Sequence, residues 1–286
     1  MKNKYILLDS GDFQKLELID GYKIIRPSLN SPYPKTNPKL WQEVDAVYTK
    51  NDRGSGDWQF FKKIPENLYL HLNPKITCKV KFTPFGHLGI FPEQTTNWQL
   101  LLKLGKQNPN LEVLNLFAYS GISTLYCLKA NMSVCHVDAS KGMVEWAREN
   151  AELSNLSDKK VRWIVDDVIK FVKREIKRGK KYNGFILDPP TFGRGAKGEV
   201  WKIEEGLIPL IQSTMELCNF KPQFVFLSCH TSGFSANVIE RILQSFIQQK
   251  GRYQSGELFI LEQSGKKLSG GFYTNFLAED LQLTLE

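Results

Sequence analysis

The 286-residue sequence predicts an α/β fold preceded by a small β-rich domain. Three observations predict it. From about residue 93, apolar strand-like runs alternate with amphipathic helical stretches, the pattern of a parallel sheet covered on both faces. The last two strand-like runs follow one another across a Gly-bearing turn and read as a hairpin. Ahead of these, short strand-like runs are separated by turn signals, the texture of a β-rich unit. The boundary falls at residue 83, giving domains 1–82 and 83–286.

In the first domain the runs are "YILL", "KLELI", "YKIIR", "LYLHL" and "TCKVKF". "RPSLNSPYPKTNP", with Pro27, Pro32, Pro34 and Pro38, reads as a loop, as does "NDRGSGDW". "PEQTTNWQLLLKLGKQ" opens the second domain's helices, with Pro92 and Glu93 as start signals. "LEVLNLF" is strand one and "GISTLYCLKA" the helix after it; "MSVCHVD" is strand two. In the next helix Met143, Ala147 and Ala151 recur every four residues, with Ser140 as N-cap. "VRWIV" is strand three, and the helix after it sets Val168, Phe171, Val172 and Ile176 on one face. "NGFILD" is strand four. A helix around 203–218 is expected to kink or restart at Pro209. "QFVFLSC" is strand five, "SANVIERILQSFIQQ" a helix, and "GELFILEQ" and "GGFYTNFLAE" the final hairpin. Together these make a seven-stranded sheet.

Composition narrows the functional classes. A formal net charge of +8 points toward polyanionic partners such as nucleic acid, although a solvated basic surface has the same sum. Residues 1–85 hold 14 Lys+Arg against 9 Asp+Glu, so the excess concentrates there. Five cysteines, with no C-x-x-C pair, argue against zinc, iron–sulfur and disulfide frameworks and suit a reducing cytosol. No metal is expected. The four-residue apolar run before Asp9 is too short for a signal peptide, and no 18-residue apolar window predicts a membrane span. The expected location is cytoplasmic. Nothing in the sequence reads out the oligomeric state.

Ligands on open parallel sheets bind at the carboxyl ends of the strands, so the site belongs just after each strand. After strand one, "NLFAYSGIS" contains one glycine, Gly121, and lacks the G-x-G-x-x-G of dinucleotide sites. Strand two ends on Asp138, 17 residues after Gly121, where a carboxylate can accept from a ribose diol. Strand three ends on Asp166 and Asp167. Asp167 is assigned to an adenine amine, leaving the other acid to cap the next helix. A turn, a ribose acid and an adenine acid describe an adenosine ligand without a pyrophosphate, which S-adenosylmethionine (SAM) fits.

Strand four ends in "DPPTFGRG". Pro189 and Pro190 fix the backbone after Asp188, whose carboxylate can accept from an amine or a ring nitrogen. Phe192 can stack on a base, and Arg194 and Lys197 are placed to meet a phosphate. Strand five ends on Cys229. Either its thiolate attacks C6 of a pyrimidine so that C5 takes the methyl group, or it is a small buried apolar residue. His230 beside it should face the other side of the strand. "TPFGHLGIFPEQTTNW" either closes over the ligand through Phe91 and Gln94 or is a connector. "KREIKRGKK" either contacts phosphate or is a solvated helix end.

The residues "NLFAYSGIS", "HVDASKGMVEWARENAELSNL", "VDDVIKFV", "FILDPPTFGRG" and "FLSCHT" resemble the class I SAM-dependent methyltransferases. They look most like the group containing the bacterial 23S ribosomal RNA cytosine-C5 methyltransferases, over about residues 83–286. The resemblance implies a Rossmann-like fold. It implies SAM contacts from Phe117, Ala118, Tyr119, Ser120 and Gly121, from Asp138 and Ser140, and from Asp167. It implies that Asp188 and Pro189 bridge cofactor and base, and that Phe91 and Gln94 belong to an element preceding strand one. Cys229 matches the strand-five nucleophile of C5 enzymes. Asn115 stands where many such enzymes carry an acid, His230 where a small hydroxyl residue is usual, and the first 82 residues are not a familiar RNA-binding domain.

The expected function is SAM-dependent methylation of RNA, ribosomal RNA first, at cytosine C5 with Cys229 as nucleophile. Methylation of an exocyclic base amine at Asp188, or a SAM- and RNA-binding module with little catalysis, are the alternatives.

Overall fold

The computed structural model of the chain describes residues 2–51, 55–108, 110–195 and 198–283. Lys197, an expected phosphate contact, lies outside the described residues. The chain divides into two compact units: Met1–Glu93 with Phe259–Gly270, and Gln94–Leu258 with Gly271–Glu286.

In the first unit β1 (Tyr5–Gly11), β2 (Gln14–Ile19), β3 (Tyr22–Pro27), β4 (Ala46–Lys50) and β5 (Gly56–Phe60) form a sheet in that order. β3 and β4 run parallel and the other neighbours antiparallel. β6 (Leu68–Asn73) and β7 (Ile76–Val80) form a separate antiparallel pair. Alternation buries Ile19, Ile24 and Ala46 on one face of the sheet and Leu16 on the other. β4 and β5 were not expected as strands. β5 begins inside the turn-rich "NDRGSGDW" run, which masks the short Trp58/Phe60 alternation at its end, and its pairing with β4 holds it extended.

The same sheet encloses an ion pair. Glu17 is fully buried and takes both Nε and Nη2 of Arg26 at 2.6 Å. Arg26 Nη1 donates to the Gly86 carbonyl at 2.8 Å, and the Tyr5 hydroxyl donates to Glu17 at 2.9 Å. Burial opposes the Glu17 charge, but Arg26 and Lys15 outweigh it and hold the carboxyl at about 2.

The second unit begins with α1 (Thr95–Gln107) and continues as β8 (Glu112–Leu116), α2 (Ile122–Lys129), β9 (Ser133–Asp138), α3 (Lys141–Leu153), β10 (Val161–Val165), α4 (Val168–Lys177) and β11 (Gly184–Leu187). A short hairpin, β12 (Phe192–Arg194) and β13 (Val200–Lys202), precedes α5 (Ile203–Glu216), β14 (Phe224–Cys229) and α6 (Ala236–Gln244). β15 (Gly251–Leu261) and β16 (Lys267–Ala278) close the chain. The sheet order is β10-β9-β8-β11-β14-β16-β15, with β8 to β14 parallel and β16 antiparallel to β14. This is the predicted seven-stranded Rossmann-like α/β sheet, joined to a β-rich N-terminal region.

The hairpin tip, Phe259–Gly270, belongs to the first unit. There Ile260 and Leu268 pack on Leu7, and Ser10 donates to Glu262 at 2.5 Å. α5 runs through Pro209 without a break. The carbonyl deprived of its partner is that of Glu205, on an exposed first turn open to solvent. α3 buries Val144, Trp146, Ala147, Asn150 and Ala151, a face turned slightly from the expected one, with Met143 at its margin.

Candidate active site at the carboxyl edge of the sheet

β8 lies between β9 and β11 at the centre of the sheet, where successive crossovers depart in opposite directions. The five loops after β8, β9, β10, β11 and β14 all open on one edge because these strands are parallel.

The loop after β8 is Phe117–Gly121. Phe117 and Tyr119 have φ of 55° and 51°, and Gly121 of 83°. Such left-handed residues persist only where surroundings fix them. Ala118 N donates to the Val137 carbonyl at 3.1 Å, and Asn150 donates to the Ser120 carbonyl at 2.9 Å. A Cβ on Gly121 would stand 2.7 Å from the Ala147 Cβ, so this position packs directly on α3. Beneath the turn, buried Asn115 donates to Thr124 at 2.9 Å and so ties β8 to α2.

Asp138 ends β9. Its Oδ2 accepts from Tyr119 N and its Oδ1 from Ser140 N, both at 2.9 Å. Burial raises the Asp138 carboxyl, while these two amides pull it back down without cancelling the rise. Ser140 occupies the N-cap position of α3, but its side chain makes no capping bond; its backbone amide serves Asp138 instead.

After β10 the two acids divide their work. Asp167 is the N-cap of α4 and accepts from Lys170 N at 2.9 Å, while Asp166 pairs with Arg174. The capping role therefore belongs to Asp167. The basic run at the end of α4 is partly occupied: besides Arg174, Arg178 pairs with buried Glu175 at 3.1 Å, and Lys181 donates to Asn219 at 2.8 Å.

Asp188 follows β11 and is the centre of a polar cluster. Its Oδ1 accepts from the Ser228 hydroxyl at 2.6 Å and lies 3.2 Å from His230 Nε2; Gln94 Nε2 approaches Oδ2 at 3.4 Å. Burial works against the Asp188 charge, but His230, Ser228 and Gln94 together hold the carboxyl below its ordinary value. The cluster continues inward. Gln94 donates to Ser228 at 3.0 Å and accepts from Asn97 at 2.8 Å, and Asn97 accepts from Asn275 of β16 at 2.8 Å. These buried amides fix Ser228 and Asp188 through a chain reaching across the sheet. Sequence reasoning reached Gln94 and Asp188 but not Ser228, Asn97 or Asn275.

The loop after Asp188 is braced on both sides. Trp201 of β13 donates to the Pro190 carbonyl at 2.7 Å and meets the Phe117 ring at 4.8 Å. Thr191 and Thr231 hydroxyls lie 2.7 Å apart. Phe192, 51% exposed, projects from β12 with the Arg194 guanidinium 5.8 Å from its ring centre. Phe91 belongs to the first unit, where its ring meets His87 edge-on at 5.4 Å.

Cys229 ends β14 with 0% exposure, and burial pushes its thiol up. Successive strand residues face opposite sides. Ser228 points to Asp188, so Cys229 points to the other face of the sheet. The sequence placed His230 on the side opposite Cys229, and it is there, beside Asp188. Cys78, Cys127 and Cys135 are buried, and Cys218 lies just past α5, partly exposed. Among the described residues no cluster of His, Cys, Asp or Glu is arranged to hold a metal ion.

No protein-family model matches the chain. It is similar to a SAM-dependent methyltransferase from Agrobacterium tumefaciens known by crystal structure, with 33% identity and a TM-score of 0.89 over 96% of this chain and 90% of that one. It is also similar to ribosomal RNA large subunit methyltransferase I of Tolumonas auensis, 26% identical over 262 residues, 90% of this chain and 61% of the relative. A third similarity is to ribosomal RNA large subunit methyltransferase K/L of Shewanella woodyi, 27% identical over 170 residues, 58% of this chain and 23% of the relative. The chain thus spans less than two thirds of the length of either curated relative.

Proposed function

Because the chain belongs to the SAM-dependent methyltransferases, we propose that it methylates an exocyclic amine on a base of ribosomal RNA, with Asp188 receiving that amine. The observation that carries this reading is the ionised, partly buried Asp188 carboxylate, held by Ser228, Gln94 and His230 at the carboxyl end of β11. The RNA class rests on the curated relatives, whose names place them on the large-subunit ribosomal RNA. Ribosomal RNA as substrate implies a cytoplasmic enzyme. Among the described residues no helix is long and apolar enough to cross a membrane.

The loops fit the cofactor. Asp138 keeps lone pairs for a ribose diol beyond the two that its backbone amides use, and those amides aim it. Asp167 has acceptor sites beyond its cap for an adenine amine. Phe117–Gly121 supplies a turn whose backbone can approach a ligand closely, with Ser140 and Pro189 at its flanks and Gln94 behind Asp188. SAM supplies a sulfonium whose methyl group is open to attack. Gly121→Val sets a branched side chain at φ 83° against Ala147. It is expected to weaken SAM binding at least about tenfold and to destabilise the unit by about 1–3 kcal/mol, read by calorimetry and thermal unfolding.

For the substrate, Phe192 stacks on the flat base and Arg194 meets a neighbouring phosphate. Asp188 accepts one amine N–H, which turns the nitrogen lone pair toward the methyl group. A carboxyl held below its ordinary value is a weak base, so Asp188 orients the amine and stabilises positive charge growing on it. As the N–C bond forms the C–S bond breaks, leaving a neutral thioether and an excess proton on the amine nitrogen, which passes to water, with His230 adjacent to the carboxylate.

One observation favours a second reading, transfer to cytosine C5. Cys229 ends β14 next to Ser228, and the sequence resemblance implies that this is the nucleophile position of C5 enzymes. In that reaction its thiolate adds to C6, C5 takes the methyl group, a base removes the C5 proton and the thiol leaves. It requires Cys229 to turn from the opposite face and to ionise against its burial. Cys229→Ala separates the two. Amine methylation is expected to persist within about threefold, whereas a nucleophile's loss removes several orders of magnitude of rate. Transfer of labelled methyl to ribosomal RNA is the measurement.

A further inference from the structure

We propose that an aromatic face at the edge of the first unit is a stacking platform for single-stranded RNA, an inference that rests on the ribosomal RNA reading above. β5 is the outer strand of the five-stranded sheet. Trp58 and Phe60, two residues apart on it, project from one face. Tyr48 of β4 stands opposite Trp58 in register, with ring centres 5.1 Å apart. Phe82 meets Trp58 and Phe60 edge-on at 4.8 and 5.2 Å.

The segment after Phe82 is fastened to the same strands. Trp58 Nε1 donates to the Thr83 carbonyl at 2.8 Å, and the Tyr48 hydroxyl and Gly56 amide both donate to the Pro84 carbonyl at 2.9 Å. The polar tips of Tyr48 and Trp58 are thereby used within the protein; the Tyr48 ring is buried and backs the partly exposed Trp58 ring, and the surface beyond it is aromatic. Phe60 is 48% exposed and Phe85, which follows Pro84, 64%. Large rings held this firmly at a surface mark a contact site.

Charge identifies the occupant. Lys50, two residues after Tyr48, lies on the aromatic face, and Lys62 and Lys63 follow Phe60; all three are exposed. Lys62 also reaches Asp45 at 2.6 Å, and Asp57 falls on the opposite face of β5. Residues 1–85 carry 14 Lys+Arg against 9 Asp+Glu. A single RNA strand matches both features, since its bases stack on rings and its phosphates meet lysines.

The test is fluorescence anisotropy with a fluorescein-labelled, mixed-sequence single-stranded RNA of about 12 nucleotides, within the span such surfaces bind. Phe60→Ala/Phe85→Ala is expected to weaken binding about tenfold or more, with SAM affinity and thermal unfolding unchanged. Phe60→Trp/Phe85→Trp is expected to keep it. Should the double Ala variant melt early, Phe85→Ala alone carries the comparison. Equal RNA affinity of wild type and Ala variant would overturn the platform and leave the substrate reading standing. No RNA binding by the wild type would overturn both. A dimer in sedimentation velocity that the Ala variant dissociates, with RNA affinity unchanged, would reassign the face to self-association.

Discussion

Asp188→Asn is expected to lower the turnover of methyl transfer by about 10²–10⁴, with SAM affinity within about threefold of wild type. The substitution keeps shape and retains an oxygen for Ser228. It removes the negative charge that His230, Ser228 and Gln94 sustain in a partly buried position. That charge acts on the amine only as positive charge develops there, so the loss should appear in kcat more than in KM. Ser228→Ala, which deletes the 2.6 Å bond and leaves the carboxylate, should cost less. Single-turnover kinetics with labelled SAM, paired with calorimetric SAM titration, read both quantities. A variant that binds SAM poorly would place Asp188 with the cofactor and not with the base.

The second large effect concerns stability. Arg26→Met is expected to destabilise the first unit by about 3–5 kcal/mol, because it leaves Glu17 charged and fully buried without its bidentate partner. Glu17→Leu/Arg26→Met should recover most of that, since an apolar pair of similar volume needs no desolvation. The pH dependence has a defined sign. In the wild type the Glu17 carboxyl sits at about 2, against an ordinary 4.5, so its contribution is complete above about 4.5 and is lost as pH falls toward 2. In Arg26→Met the stranded carboxylate takes up a proton more readily, so the deficit should narrow as pH falls through 5. Urea unfolding followed across pH 3–8 measures both, a range chosen to bracket the transition.

Much of the site was legible because a parallel sheet gathers its functional residues at one edge. Asp138, Asp166, Asp167 and Asp188 each read as the residue that ends an apolar run, and the fold sets each at that edge. Other contacts were not legible because they join residues far apart in the chain. Asn97 meets Asn275 across 178 positions, and although Asn97 lies in the segment before strand one, nothing local marks its partner. Ser228 and Cys229 show a further limit. Both end the same strand, and only the phase of side-chain alternation decides which one reaches Asp188. The choice between Asp166 and Asp167 as helix cap turned on one residue of register, which adjacent acids do not reveal. In the first unit, β4 and β5 are hard to read from sequence because each is five residues long, with polar residues and a preceding turn-rich run, and their mutual pairing holds them extended.

The most direct test is nucleoside mass spectrometry of ribosomal RNA incubated with the enzyme and isotope-labelled SAM, using unmodified ribosomal RNA from a deletion strain. Label on an exocyclic amine, retained in Cys229→Ala and lost in Asp188→Asn, is the predicted result. Label as 5-methylcytidine, lost in Cys229→Ala, would contradict it and make Cys229 the nucleophile.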